Sequence, residues 1–418
     1  MKQLLIISYY WPPAGGPGSQ RVVKFAKYLP QYGWEPVILS VKNGEFPYID
    51  NSLNQDVPKK LTVRYSRSLE PFRIYKKWTN RELDDTLPVG LLTMKQQSWK
   101  GKIASWVRAN MFIPDARIGW MPFAVKAGLE IIKENKIDAI FTSSPPHSSQ
   151  LSGLLLKELT RIPWVADLRD PWTGIRYYKS TKRVKLANML DAFIERRVLN
   201  GADRITTVSN SLIGEFIDRI HAKSPDKFCV LPNGFDEVDF MNIQSSQSDK
   251  FIILHTGNLS SQQNPVVLFK SVHRLIKKLP EMGEKLLLKF VGRVHPEVVD
   301  LLKKFDLEKY SLIQGFVPHR LILTEMKNAS ILLMVVPDIE ENEGIVTGKL
   351  FEYIGSGRPV LVIGPLAGDA GKIISGANNS TICHYDDEQG CVQFIKSMYE
   401  LWKTDQLPES DKDFRRPF

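Results

Sequence analysis

The chain has 418 residues, 43% of them hydrophobic and 24% charged, with 56 basic and 46 acidic side chains and a net charge of +10. That length predicts two domains of about 200 residues, each able to bury a core. The composition excludes disordered, collagenous and disulfide-stapled classes, and no apolar run approaches the ~20 residues of a membrane span.

The opening Met1 to Ser8 is too short for a signal peptide and reads as a buried strand, Gln3 to Ser8. A glycine loop, Ala14 to Ser19, and a helix, Gln20 to Tyr32, lead to a second strand, Glu35 to Val41, which makes a βαβ unit and implies a parallel sheet. Further strands are expected at Leu61 to Tyr65, Ala139 to Thr142, Trp164 to Asp167 and Arg204 to Val208. Helices are expected at Ala124 to Asn135, Ser149 to Thr160 and Val184 to Asn200. Leu231 to Asp236 and the polar run Ile243 to Lys250 read as a linker. A second series follows, with strands Ile252 to Thr256, Leu286 to Val291, Ser311 to Phe316, Ile331 to Val336 and Val360 to Ile363 alternating with helices. The expected fold class is α/β: two doubly wound, Rossmann-like domains, 1-236 and 237-418, facing a cleft in which a ligand binds.

Cys229, Cys383 and Cys391 are odd in number and lack metal-ligand spacing, so no metal site and a reduced, cytoplasmic protein are expected. The positive charge raises nucleic acid as a partner, but no zinc finger or aromatic-basic repeat supports it. Between Arg64 and Arg117, Trp99, Trp106, Met111 and Phe112 interleave with Lys95, Lys100, Lys102 and Arg108. Solvated helices with a few core tryptophans account for this stretch; peripheral contact with the inner face of an anionic membrane is the secondary expectation.

Four segments follow strand ends and carry chemistry, one of them His255 to Ser260, whose backbone amides offer a phosphate site, and a fifth opens a helix. In Tyr9 to Arg21, Gly15, Gly16 and Gly18 allow backbone to approach a diphosphate at a helix N-terminus. Arg21 occupies the third glycine position of a dinucleotide fingerprint and the second strand ends in Ser40-Val41-Lys42, which argues against NAD. His147, after Pro145-Pro146, lies at a loop-to-helix turn, where it either faces the cleft and meets a sugar hydroxyl or simply packs. In Asp167 to Trp172, Arg169 and the two aspartates either satisfy one another, or Asp170 binds acceptor hydroxyls while Trp172 stacks on a sugar face. Thr347-Gly348-Lys349-Leu350-Phe351-Glu352 reads as a helix start with a capping hydroxyl, and Gly355 and Gly357 as its end. Lys349 and Glu352, three residues apart, share a face that offers a cation to phosphate and a carboxylate to sugar hydroxyls. An ordinary surface helix is the alternative there.

With Pro12 to Gly16, Pro232 to Asp236, Thr256 to Asn258 and Lys349 to Val360 in this order, the chain resembles retaining nucleotide-sugar glycosyltransferases of family 4, with the GT-B fold. The resemblance implies that Glu352 holds the nucleotide ribose, that the glycine loop approaches the donor, and that His147 lies near the transferred sugar. It also implies donor contacts from Asn258, Thr347, Gly348 and Lys349 and a catalytic set of His147, Lys349 and Glu352. Arg21, Asp170 and Trp172 are the expected acceptor-binding residues. Asn258 stands where the family often has arginine, Gln263-Asn264 where it has Lys-Gly, and Gly344 where it has a first glutamate. Lys349 is then expected to meet the diphosphate, as in a subgroup bearing Lys-Leu-x-Glu-Tyr. Relatives commonly continue through another helix past the position of Phe418. The expected function is transfer of a sugar to a glycan or lipid-linked acceptor with retention, in polysaccharide or surface-glycan biosynthesis. No cofactor is expected beyond the nucleotide sugar as co-substrate. The alternatives are a nucleotide-sugar 2-epimerase and a non-catalytic nucleotide-sugar-binding protein, with a dinucleotide oxidoreductase as a distant third.

Overall fold

The computed structural model describes residues 1–47, 49–69, 99–174, 183–220, 225–241, 243, 248–315, 317–377 and 379–415. The chain divides into two compact units, Met1–Leu231 and Pro232–Phe418, so that the Pro232 to Asp236 stretch falls with the second.

In the first unit, β1 (Lys2–Ile7), β2 (Trp34–Val41), β3 (Thr62–Ser66), β4 (Ile137–Ser144), β5 (Trp164–Leu168), β6 (Arg204–Thr207) and β7 (Phe228–Val230) form one sheet. Its order is β3-β2-β1-β4-β5-β6-β7, and all neighbours are parallel. The helices are α1 (Pro17–Tyr28), α2 (Trp99–Met111), α3 (Met121–Glu134), α4 (Ser148–Thr160), α5 (Lys185–Gly201) and α6 (Asn210–Ile220). Both faces of the sheet are covered: Leu5 and Ile7 pack with Trp120 and Trp164, while Leu4 and Ile6 pack with Val22 and Val23 of α1. That is why β1 reads as an unbroken apolar run and not as an alternation.

The second unit repeats the plan. Strands β8 (Phe251–Thr256), β9 (Leu286–Val291), β10 (Ser311–Gln314), β11 (Ile331–Val335), β12 (Val360–Ile363) and β13 (Thr381–Cys383) are ordered β10-β9-β8-β11-β12-β13 and run parallel. Helices α7 (Glu237–Met241), α8 (Val266–Lys278), α9 (Pro280–Lys285), α10 (Pro296–Lys304), α11 (His319–Asn328), α12 (Gly348–Ser356), α13 (Asp369–Ile374) and α14 (Glu388–Lys403) accompany them. In each sheet the strand order reverses once, between β1 and β4 and between β8 and β11. Loops leaving the C-terminal ends of those strand pairs are where doubly wound sheets bind ligands.

Three local expectations differ from the structure. The helix expected through Tyr32 ends at Tyr28 and gives way to a separate tight turn, Leu29–Tyr32, because Pro30 offers no amide donor and Gly33 closes the turn at φ +80°. Helix α12 continues through Gly355 to Ser356, and Gly357 alone stops it, in the left-handed conformation. Gly355 serves packing instead: a β-carbon there would come within 2.5 Å of the Phe235 ring. Strands β7 and β13 and helix α6 go unpredicted, the strands because three residues carry no readable period.

Candidate functional site

In the second unit, the loop after β8 and the helix α12 that follows β11 meet at the reversal point. Thr347 occupies the N-cap position of α12 with extended backbone, but its hydroxyl makes no capping bond. That corrects the expected cap: the Thr347 Oγ1 is buried and has no hydrogen-bond partner among the described residues. The first-turn amides of α12 therefore lack a side-chain acceptor, which leaves them open to an anion.

Lys349 projects from this first turn onto Gly257. A β-carbon on Gly257 would lie 3.2 Å from the Lys349 ammonium, and Gly257 holds φ at +87°, so both space and backbone select glycine. Burial lowers the Lys349 pKa to about 8, partly offset by the nearby Glu352 carboxylate. Beneath it, the His255 ring places Nδ1 3.0 Å from the Leu333 carbonyl, a bond in which only the ring can donate. Burial takes the His255 pKa down to about 3, and the Lys349 charge pushes the same way, so this imidazole is neutral.

Glu352 lies one turn beyond Lys349, with its Oε1 2.8 Å from His319 Nε2. Both side chains are about one-fifth exposed, at 19% and 22%. Tyr353 pins α12 to the sheet: its hydroxyl accepts from the Thr256 amide at 3.0 Å and donates to the Leu333 carbonyl at 3.3 Å. Burial pushes the phenol up to about 12, so it stays protonated. Asn258 is exposed immediately past Gly257. Gln263 is committed to the fold, capping a short turn with Ser260 and donating to the Val335 carbonyl at 3.1 Å.

In the first unit, Gly16 is the N-cap of α1 at φ +92°, Gly15 precedes it, and Gly18 lies in the first helical turn. His147 precedes α4, buried to 4% exposure, and stacks on Trp172 with ring centroids 4.6 Å apart and planes 14° from parallel. Among the described residues neither ring nitrogen has a partner at hydrogen-bond geometry. Burial lowers the His147 pKa to about 3, against a smaller opposing pull from the Pro171 backbone. The imidazole is thus neutral and unable to serve as a proton donor near pH 7. Asp115 fixes the start of α4 by accepting the Ser148 amide at 2.8 Å and hydroxyl at 3.0 Å.

Two expected acceptor residues are instead structural. Arg21 is 7% exposed and grips Asp167 at 2.9 and 3.1 Å, with a third bond of 2.8 Å to the Leu231 carbonyl. Asp167 also accepts from Ser143 and Thr206. Burial would raise its pKa, but Arg21, Arg169 and the Ser143 hydrogen bond together hold the carboxyl below its usual value. Trp172 is fully buried, its face covered by His147 and its Nε1 donating to Asp191 at 2.8 Å, so it presents no face to a sugar. Asp191 in turn pairs with Arg183 at 2.9 Å. Asp170 is exposed at the end of the loop after β5. Sequence reasoning missed the His319–Glu352 and Arg21–Asp167 pairs, whose partners are 33 and 146 positions apart. No local spacing carries such information.

Residues 97–238 match a family model described as Glycosyltransferase Family 4. No curated protein matches the sequence. Among solved structures, the chain is similar to a sucrose-phosphate synthase from Thermosynechococcus elongatus, at TM-score 0.63 and 14% identity, covering 100% of this chain and 94% of that one. It is also similar to an α,α-trehalose-phosphate synthase (UDP-forming) from Burkholderia vietnamiensis, at TM-score 0.58 and 12% identity over 97% and 91% of the two chains. A third match is a mutant S. aureus TarM in complex with Fondaparinux, alpha-GlcNAc-glycerol and UDP, at TM-score 0.58 and 9% identity over 97% and 95%.

Proposed function

We propose, from the premise that this chain is a GT-B glycosyltransferase carrying a family 4 region over residues 97–238, that it moves a sugar from a nucleoside-diphosphate donor to a hydroxyl on a glycan or lipid-linked acceptor. The observation that carries this reading is Lys349. A half-buried cation stands at an uncapped helix start, beside Gly257 and one turn before Glu352. Helix amides, the ammonium and the Gly257 backbone receive the diphosphate, and Glu352, braced by His319, accepts from ribose hydroxyls. UDP in the similar TarM complex supports a pyrimidine diphosphate as the first to test.

In this proposal transfer proceeds with retention. The bond from the anomeric carbon to the diphosphate breaks, the acceptor oxygen bonds from the same side, and its proton passes to the departing diphosphate. Preorganised charge on that diphosphate is worth a few kcal/mol in the transition state, and Lys349 with the α12 amides supplies it without a metal. His147, neutral and buried against Trp172, is not suited to donate a proton. The test is product analysis by mass spectrometry with UDP-, GDP- and ADP-sugars and lipid-linked acceptors. Lys349→Ala and Glu352→Ala should lose donor affinity, and activity should survive EDTA. Release of free nucleotide with an epimerised sugar and no acceptor product would favour the 2-epimerase instead, and binding without turnover a non-catalytic role.

Peripheral membrane contact belongs to the same proposal. Lys95 lies outside the described residues, as do the side chains of Trp99, Lys100 and Lys102. On α2, Ile103, Trp106 and Met111 are exposed, and on α5 so are Leu186, Met189 and Phe193. The two helices are joined where Arg183 donates to the Ala109 carbonyl and the Val184 amide to Asn110. The α2 sequence has three basic and no acidic residues, which suits an anionic bilayer. No helix among the described residues is long and apolar enough to cross a membrane. Co-sedimentation with phosphatidylglycerol vesicles should be lost in Trp106→Ser/Phe193→Ser. Equal sedimentation of wild type and variant would remove the assignment.

A further inference from the structure

We infer, on the donor reading of the second unit, that Arg293 is a second cation of the diphosphate site, presented by the loop after β9 beside Gly257 and Lys349. Beyond the ends of β8 and β9 the two chain segments stay laced together. The Gly257 amide donates to the Val291 carbonyl at 2.7 Å, the Leu259 amide to the Arg293 carbonyl at 2.8 Å and the His295 amide to the Leu259 carbonyl at 2.9 Å. Thr256 pairs with Val291 inside the ladder and Leu259 with Val294 beyond it, so the register holds across both glycines and sets Asn258 beside Arg293. Neighbouring strands lie about 4.8 Å apart. Gly257 and Gly292 form the step before that pair, and Gly257 is the residue on which the Lys349 side chain rests.

Alternation along the strands decides the face. Ile253, Leu259 and Leu288 share one core cluster, with Val294 packed against it, while Leu254 and Val291 share another with Leu350 and Tyr353 of α12. Leu259 and Val294 thus regain the side of Ile253 and Leu288 past the glycines. Asn258 and Arg293, one residue earlier on each segment, fall on the opposite side, which α12 covers with Lys349 and Glu352. Arg293 is exposed there, and its side chain makes no ion pair or hydrogen bond among the described residues. A diphosphate carries more negative charge than one ammonium neutralises, and Lys349, with a pKa of about 8, is only partly charged in mildly alkaline solution. A guanidinium stays charged throughout that range and meets phosphoryl oxygens through two parallel N–H bonds.

The test is calorimetric titration of the full chain with UDP, GDP and ADP. Arg293→Gln should weaken binding of the nucleoside diphosphate that the wild type takes about tenfold or more, the loss expected for a charge-assisted pair. Asn258→Arg added to Arg293→Gln should restore most of that affinity, because the register sets the two positions side by side. A side chain needed only for folding would not be replaced from the neighbouring strand. Wild-type affinity in folded Arg293→Gln would overturn the assignment, and so would a double variant that binds no tighter than Arg293→Gln. Either result leaves Lys349 and Glu352 standing as the donor site. A wild type that binds none of the three nucleotides removes the donor reading and the Arg293 assignment together.

Discussion

Lys349 sits with a pKa of about 8 because burial disfavours its ammonium more than Glu352 restores it. A diphosphate bound beside it favours the charged form again. UDP binding near pH 8 should therefore take up protons, and affinity should fall between about pH 7 and 9 as Lys349 loses its charge. Calorimetry in two buffers of different ionisation enthalpy measures the uptake; pH-independent affinity would contradict it. The sign for folding is opposite. A lysine whose folded pKa lies below its ordinary value binds fewer protons folded than unfolded, so its contribution to stability rises from about pH 8 toward 10.5. The Arg21–Asp167 pair makes a different demand, since removing one partner strands a buried charge. Arg21→Met should cost about 3–5 kcal/mol in chemical denaturation. Lys349 and Glu352 were legible in the sequence because helical spacing alone puts them on one face. Arg21 was misread as an acceptor ligand because its partner is 146 residues away and only the fold brings them together.

At the scale of elements, α12 shows how a helix start can be kept open. Its N-cap threonine makes no capping bond, so Thr347→Ala should destabilise by clearly less than the ~1 kcal/mol of a lost cap. A thermal shift matching a full cap loss would show that the hydroxyl does cap. The turn after β9 makes the opposite prediction. Gly292 holds φ at +129°, and a β-carbon there would fall 2.3 Å from the Gly257 carbonyl oxygen. Gly292→Ala should thus cost more than about 2 kcal/mol and disturb the loop on which Lys349 rests. Buried strands such as β1 and β11 were readable because burial on both faces demands unbroken apolar runs. The three-residue edge strands β7 and β13 were not, and Gly355 was taken for a helix end because nothing local shows that Phe235 packs against it.

At the scale of the molecule, alternation of strand and helix dictated two parallel sheets, and each sheet places its order reversal where the glycine loops and helix starts fall. That much follows from rules of connection and handedness. Which residues bind was harder to read. The first unit turned out to bury Trp172, His147 and Arg21 in its own support, leaving Asp170 exposed among its expected side chains. In the proposed function the second concentrates its chemistry at Gly257, Lys349 and Glu352. The most direct test of that claim is calorimetric binding of UDP, GDP and ADP to the wild type, Lys349→Ala and Glu352→Ala. The account predicts that one nucleoside diphosphate binds the wild type and that both folded variants bind it about 10- to 100-fold more weakly. Unchanged affinity in both variants, or no binding of any nucleoside diphosphate to the wild type, would contradict it.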